Sequence, residues 1–173
     1  MRVSYDRLIV GPRRVALIGA IAAVVLTIVL YPILVSTPFE LEDISIRLSR
    51  VVLASGSEGE QKIDLRISFN ITNSSEFTLT TSKIEYELFA DGATIGSDTI
   101  SYEDVPVNGR PALFSNAPPI TITDTFTLEY SDDKAMLFDK ILSSSADVAW
   151  SVKGTASIES GTTFKEKTFS SEL

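Results

Sequence analysis

Residues 62–72 read KIDLRISFNIT, with Ile63, Leu65, Ile67, Phe69 and Ile71 alternating strictly with Asp64, Arg66, Ser68 and Asn70. A period of two is the signature of a strand with one buried and one solvated face. The same alternation recurs at Ile44, Ile46 and Leu48, at Ile84, Tyr86 and Leu88, at Ile120 and Ile122 continuing to Phe126 and Leu128, and at Val148, Trp150 and Val152. Short strands therefore dominate the chain beyond about residue 43. Trp150, alternating with two valines, reads as a core residue and not as a stacking platform.

The N-terminal pattern is different. Val15 to Val35 is an uncharged run in which only Thr27 and Tyr31 carry polar side-chain groups. As a helix it would be roughly 31 Å long, enough for a hydrocarbon core of about 30 Å, and it lacks the polar face of a globular helix. Arg2, Arg7, Arg13 and Arg14 precede the run, whereas Glu40, Glu42 and Asp43 are the first charges after it. The positive-inside rule then predicts a cytoplasmic N-terminus, with the bulk of the chain outside. A cleaved signal peptide is the competing reading, but its apolar region is usually about 7–15 residues and ends in a small-x-small site. Here only Val35-Ser36-Thr37 approximates one, which favours an uncleaved anchor.

Turn signals divide the remainder. Asp91-Gly92 and Asn108-Gly109 each separate two extended runs and predict tight hairpins, and Gly56 to Gly59 marks another turn. Pro118-Pro119 must lie at an edge or outside a ladder. One helix is predicted over 132–143, with Ser131 as N-cap, Asp132 and Asp133 at its positive end, and Ala135, Phe138, Ile141 and Leu142 on one face. The last run, Thr162 to Phe169, carries Lys165 and Lys167, suited to an edge strand that resists pairing with other molecules. Many short strands between turns indicate an all-β, antiparallel sandwich with one short helix. The predicted organisation is a basic N-terminus at 1–14, a transmembrane helix at 15–35, a linker at 36–42 and a sandwich at 43–173.

Charge and composition narrow the chemistry. Of 173 residues, 15 are Lys or Arg and 23 Asp or Glu. Residues 1–35 hold four Arg and one acid (+3), leaving 11 bases and 22 acids (−11) beyond them. That balance repels phosphate and argues against a nucleic-acid partner. With no Cys and no His there is no thiol nucleophile, disulfide, imidazole base or zinc-type ligand set. A hydroxyl nucleophile would need a lysine base, and no Ser-x-x-Lys pairing occurs, so the reading is that of a protein that is not an enzyme and carries no cofactor. The acidic groupings Glu40/Glu42/Asp43, Glu58/Glu60/Asp64, Glu103/Asp104 and Asp132/Asp133 lack the spacing of a calcium loop, though weak calcium or glycan binding stays an alternative. Two N-x-S/T sequons stand at Asn70 and Asn73; with Asn73 in a predicted turn and Asn70 inside a strand, Asn73 is the better glycosylation candidate.

The stretch ISFNITNSSEFTLTTSKIEYELFADGATIGS, residues 67–97, resembles the late embryogenesis abundant domain of the desiccation-protein type, also called the water-stress and hypersensitive-response (WHy) domain. The matching features are a strand entering a turn at Asn73, the apolar pair Phe77 and Leu79, the pair Tyr86 and Leu88, and Gly92. The order continues through Asp104 to Gly109, the helix near 132–143, and Val152-Lys153-Gly154. Where this chain has Asn73-Ser74-Ser75 the family commonly has Asn-Pro-Asn. The resemblance covers about residues 43–160 and implies an immunoglobulin/fibronectin III-like sandwich, a role in protection under water stress, and no catalytic residues. Some family members carry one N-terminal membrane helix, and a Cys-free exported domain leans towards a prokaryotic source.

These readings converge on a non-enzymatic, single-pass module of the cell membrane with an extracytoplasmic sandwich, partnered by the lipid bilayer and by other membrane or envelope proteins. The alternative is an accessory subunit of an integral membrane complex, its helix packing through Gly19, Ala20 and Ala23.

Overall fold

The computed structural model describes residues 12–35, 40–57, 59, 61–161 and 163–173. The chain divides into two compact units, Met1–Pro38 and Phe39–Leu173.

The first unit contains one helix, α1 (Pro12–Val35), 24 residues or about 36 Å long. Its side chains are described from Val15 to Tyr31, and all of them are exposed. Thr27, one of two residues in that stretch with a polar side-chain group, returns its hydroxyl to the Ala23 carbonyl at 2.8 Å, and the other, Tyr31, stands at the stretch's C-terminal end. Among the described residues no helix is long and apolar enough to cross a membrane by itself.

The second unit is antiparallel throughout. Its elements are β1 (Ile44–Ser55), β2 (Lys62–Asn73), β3 (Leu79–Ala90), β4 (Ala93–Ser101), the two-residue β5 (Ala112–Leu113), β6 (Ile120–Glu129), α2 (Ala135–Ser144), β7 (Trp150–Ser160) and β8 (Thr163–Glu172). One sheet has the order β1-β2-β6; the other has the order β4-β3-β7-β8, with β5 beside the start of β3. The chain changes sheet three times, between β2 and β3, between β5 and β6, and between β6 and β7.

Alternation explains the packing. Every inward residue of the 62–72 pattern, from Ile63 to Ile71, is at most 1% exposed. They meet Ile84, Tyr86 and Leu88 of β3 and Val152, Ala156 and Ile158 of β7 in one apolar cluster. Trp150 is buried within it, its indole N–H donating to the Ser145 carbonyl at 3.0 Å. Phe69 stands at the middle, edge-on to Tyr86 (centroids 5.1 Å apart) and to Phe169 of β8 (6.0 Å). Phe169 pairs in register with Gly154, and its ring occupies the space a side chain there would fill: a Cβ on residue 154 would come within 2.7 Å of the ring and collide with the Glu85 carbonyl.

Turn chemistry held in one case and failed in another. Asp91 (φ 49°) and Gly92 (φ 81°) form the two-residue hairpin between β3 and β4, both with positive φ as a type I′ turn requires. Asn108-Gly109 is not a hairpin. It lies in a 3-10 turn, Val107–Gly109, initiated by Pro106 with its φ preset at −53°, and neither residue has positive φ. The Arg110 guanidinium fixes this loop instead, donating to the carbonyls of Val105 (2.8 Å) and Glu103 (3.1 Å) and pairing with Glu159 at 2.6 Å.

The predicted helix is present but begins differently. Asp132–Lys134 form a 3-10 turn before α2, and Ser131 provides no side-chain cap; its hydroxyl engages Asp133. Phe138 and Ile141 are buried against the sandwich as the periodicity required. Pro118-Pro119 fall just before β6, outside the ladder, and β8 is an edge strand.

Replacing Gly154 with alanine should therefore lower stability by about 2 kcal/mol, within the range for overpacking a filled core. Urea titration monitored by Trp150 fluorescence would measure it.

Candidate functional site

The residues singled out by their chemistry do not assemble into one site. Arg2 and Arg7 lie outside the described residues, and Arg13 and Arg14 fall in the first turn of α1 without described side chains. Gly19, Ala20 and Ala23 lie on the exposed surface of α1. Glu58 and Glu60 lie outside the described residues, and among those described no group of three acidic side chains converges to hold a metal ion. A groove of about 890 Å³ runs between α2 and the loop through Gly56 and Gln61. Its charged lining residues are Asp139 and Lys140, and Lys140 is paired with Asp91 at 2.5 Å.

The two sequons separate sharply. Asn73, 2% exposed, spends its whole amide on the fold: Nδ2 donates to the carbonyls of Phe77 (2.7 Å) and Leu113 (2.8 Å), and Oδ1 accepts from the Ser75 amide (3.0 Å) and hydroxyl (2.7 Å). It ties the β2–β3 turn to β5. A glycan on Nδ2 is incompatible with these bonds, because that nitrogen is buried between two carbonyls. Asn70 lies on the outer face of β2, its Oδ1 accepting from the Thr121 hydroxyl at 2.8 Å, and is the accessible sequon of the two. The preference for Asn73 is thus reversed: a turn position implied exposure, but this turn is folded under the loop that carries Ser115 and Asn116.

A second polar centre was not signalled by the sequence. Asp124 occupies an inward position in β6, between Ile122 and Phe126, and accepts a hydrogen bond from the Tyr86 hydroxyl at 2.7 Å across the sandwich. Burial, followed by the hydrogen bond to Asp124 and the negative charges of Asp124 and Asp98, pushes the Tyr86 phenol far above its ordinary value. Burial and the charge of Asp124 also raise Tyr102. A neutral phenol bonded to a carboxylate at a sheet seam is a structural device. An inward charge on an edge strand blocks pairing with a foreign strand.

The most distinctive surface is the outer face of the β1-β2-β6 sheet. A bulge at Ser49, held by its hydroxyl donating to the Ser68 carbonyl at 3.0 Å, shifts the register so that Arg47 faces Asn70 and Arg50 faces Ser68. Residues three apart on a regular strand point to opposite faces, so the bulge is what brings Arg47 and Arg50 onto the same one. Arg66 of β2 stands beside them, opposite Val52. On β6 the row Thr121, Thr123, Thr125 and Thr127 completes the face. Asp64 closes one end, its carboxylate held below the usual range by the hydroxyls of Ser55 (2.7 Å) and Thr127 (2.8 Å).

Against known proteins the chain shows likeness of shape alone. No protein-family model matches it, and no curated protein matches it. Among solved structures it is similar to a protein from Archaeoglobus fulgidus (14% identity, 73% of this chain and 94% of that one, TM-score 0.42). It is also similar to a candidate late embryogenesis abundant (LEA) protein (13% identity, 91% and 88%, TM-score 0.38) and to a candidate ApaA protein from Bordetella pertussis (13%, 76% and 90%, TM-score 0.42). Identities and scores this low carry nothing about activity.

Two outcomes follow from the polar centres. Asn73→Ala should destabilise the sandwich by about 2–4 kcal/mol, since it strands buried carbonyls as well as removing bonds; urea midpoints would read this. Because the folded Tyr86 holds its proton beyond the unfolded value of about 10, the stability it contributes is complete below pH 10 and is lost as pH rises further. Tyr86→Phe should flatten that alkaline decline between about pH 9 and 11 in thermal midpoints.

Proposed function

We propose that this chain is a non-enzymatic, membrane-tethered module whose fibronectin III-like sandwich is displayed outside the cytoplasm and works by non-covalent contact with envelope components. The observation that carries the reading is α1: every described side chain from Val15 to Tyr31 is exposed, and none is charged. An apolar surface on all sides is costly in water and is satisfied in lipid. The four arginines before the helix and the three acids after it supply the orientation. The strand order β1-β2-β6 against β4-β3-β7-β8 supports the fibronectin III-like assignment.

The absence of His and Cys, together with polar side chains committed to fold contacts, supports a role without catalysis. Asn73, Tyr86, Arg110 and Lys140 each hold two elements together. A protective role under water stress is the specific form of this proposal that the WHy resemblance implies.

The second reading, an accessory subunit of a membrane complex, draws on Gly19, Ala20 and Ala23. These residues leave room on α1 for a partner helix to approach closely.

Protease treatment of intact cells expressing the chain with a tag at each end tests the topology. The C-terminal tag should be lost and the N-terminal tag protected, with the untreated product at full-length mass. A C-terminal tag shielded in unbroken cells, or a full-length product dissolved in the cell interior, would overturn the proposal.

A further inference from the structure

The outer face of the β1-β2-β6 sheet is the positive exception on an acidic domain. Of the four arginines beyond residue 36, Arg110 is consumed in its loop, and the other three, Arg47, Arg50 and Arg66, lie exposed on this one face. Among the described residues none of the three is in an ion pair or a side-chain hydrogen bond. Unpaired guanidinium groups would ordinarily find partners in a domain with 22 acids for 11 bases. From Arg66 to Thr72 the face presents no carboxylate at all: its neighbouring positions are Ser45, Val52, Ser68, Asn70 and the β6 threonines. The one acid at its margin, Asp64, has both oxygens engaged by neighbouring hydroxyls.

We infer that this face is a docking surface for an extended anionic polysaccharide, one bearing carboxylates among its sugar hydroxyls. Three features select that occupant. Planar guanidinium groups accept carboxylates in bidentate geometry and are weakly hydrated, so they exchange water for an anion readily. Rows of hydroxyl and amide groups beside them, spaced about 4.8 Å between strands, offer donors and acceptors suited to sugar hydroxyls. The face is an exposed sheet surface, which suits a chain laid across it and not a small molecule needing enclosure. An anionic bilayer surface fits less well, because Glu40, Glu42 and Asp43 lead into β1 and would be repelled by it. The bulge strengthens the case: were Ser49 paired in regular alternation, Arg50 would point into the core.

This deepens the interaction role proposed above, but its test does not depend on membrane topology. Full-length protein in non-ionic detergent micelles would be measured for binding to polygalacturonate, with neutral dextran as the control. Polygalacturonate should be bound and dextran not, and raising salt from 50 to 500 mM should weaken binding several-fold, as polyelectrolyte contacts do. The triple variant R47S/R50S/R66S should lose roughly tenfold or more in affinity, because three cationic contacts to an anionic surface are removed together. The variant K83S/K153S, on the outer face of the other sheet, should bind as the parent does. Unchanged thermal midpoints would certify that both variants are folded. No binding at 50 mM salt, equal loss in both variants, or binding only to micelles doped with phosphatidylglycerol would overturn the inference, the last pointing to lipid.

Discussion

The sandwich depends on the contact of Phe69 with both sheets. It is wholly buried on the central strand of one sheet and meets, edge to face, Tyr86 on a central strand of the other and Phe169 on that sheet's last strand. The Phe69–Phe169 contact would be lost if position 154 had a side chain, because Phe169 lies in the volume that Gly154 leaves open. The constraint runs from a missing Cβ, through a ring seated over it, to the register of β7 with β8 and the spacing of the two sheets. Deleting a buried phenylalanine from such a position removes about 3–5 kcal/mol, a large part of the margin of any domain this size. Tyr86 links this apolar centre to the polar seam, because its ring packs on Phe69 while its hydroxyl reaches Asp124.

What was legible in the sequence was what a period of two can express. The inward faces of β1, β2, β3, β6 and β7 follow from alternation, and the Asp91-Gly92 hairpin follows from two residues that tolerate positive φ. Breaks in that alternation were not legible. Asp124 continues the inward row of β6 as a charge, which only its cross-sandwich partner explains. Ser49 looks like an ordinary polar strand residue, and nothing local reveals that it is the inserted one that sets Arg50 beside Arg47. Asn108-Gly109 carries the same local signal as a hairpin turn, but Pro106 and the Arg110 contacts impose another geometry, and Arg110's partner Glu159 lies 49 residues away. Asn73 failed for the same reason: its acceptor Leu113 is 40 residues downstream, so its burial is a property of the fold and not of its turn.

Charge is distributed by seam and face, and its total says little. On the side where β6 approaches β4, the inward groups are the carboxylates Asp124 and Asp98; on the side where β8 approaches β1, Lys167 spans to the Leu41 carbonyl at 2.7 Å. Three of the four edge strands, β6, β4 and β8, thus carry an inward charge that a foreign strand would have to desolvate, which disfavours pairing with copies of the same domain, whereas the inward row of β1 is apolar. Lys167 of the edge strand β8 points across the seam and holds the entry to β1. The outer basic face is separate from both seams and contributes to none of these contacts.

That separation bears on how such a module can act. Its shifted carboxylates are engaged internally: Asp64, Asp91 and Asp133 owe their shifts to neighbouring hydroxyls, a lysine or a backbone amide of the same domain. None of the three lines the groove beside α2. Under the proposed role of non-covalent contact the working element is surface, and individual surface contacts are weak, about 1 kcal/mol or less each. Weak contacts become effective when the partner is repetitive, so that many register positions are equivalent, and when a tether keeps the module near it at high effective concentration. A sandwich face with three arginines that are unpaired among the described residues suits the repetitive polyanion inferred above, and an apolar helix joined to the sandwich by a few residues would satisfy the second condition.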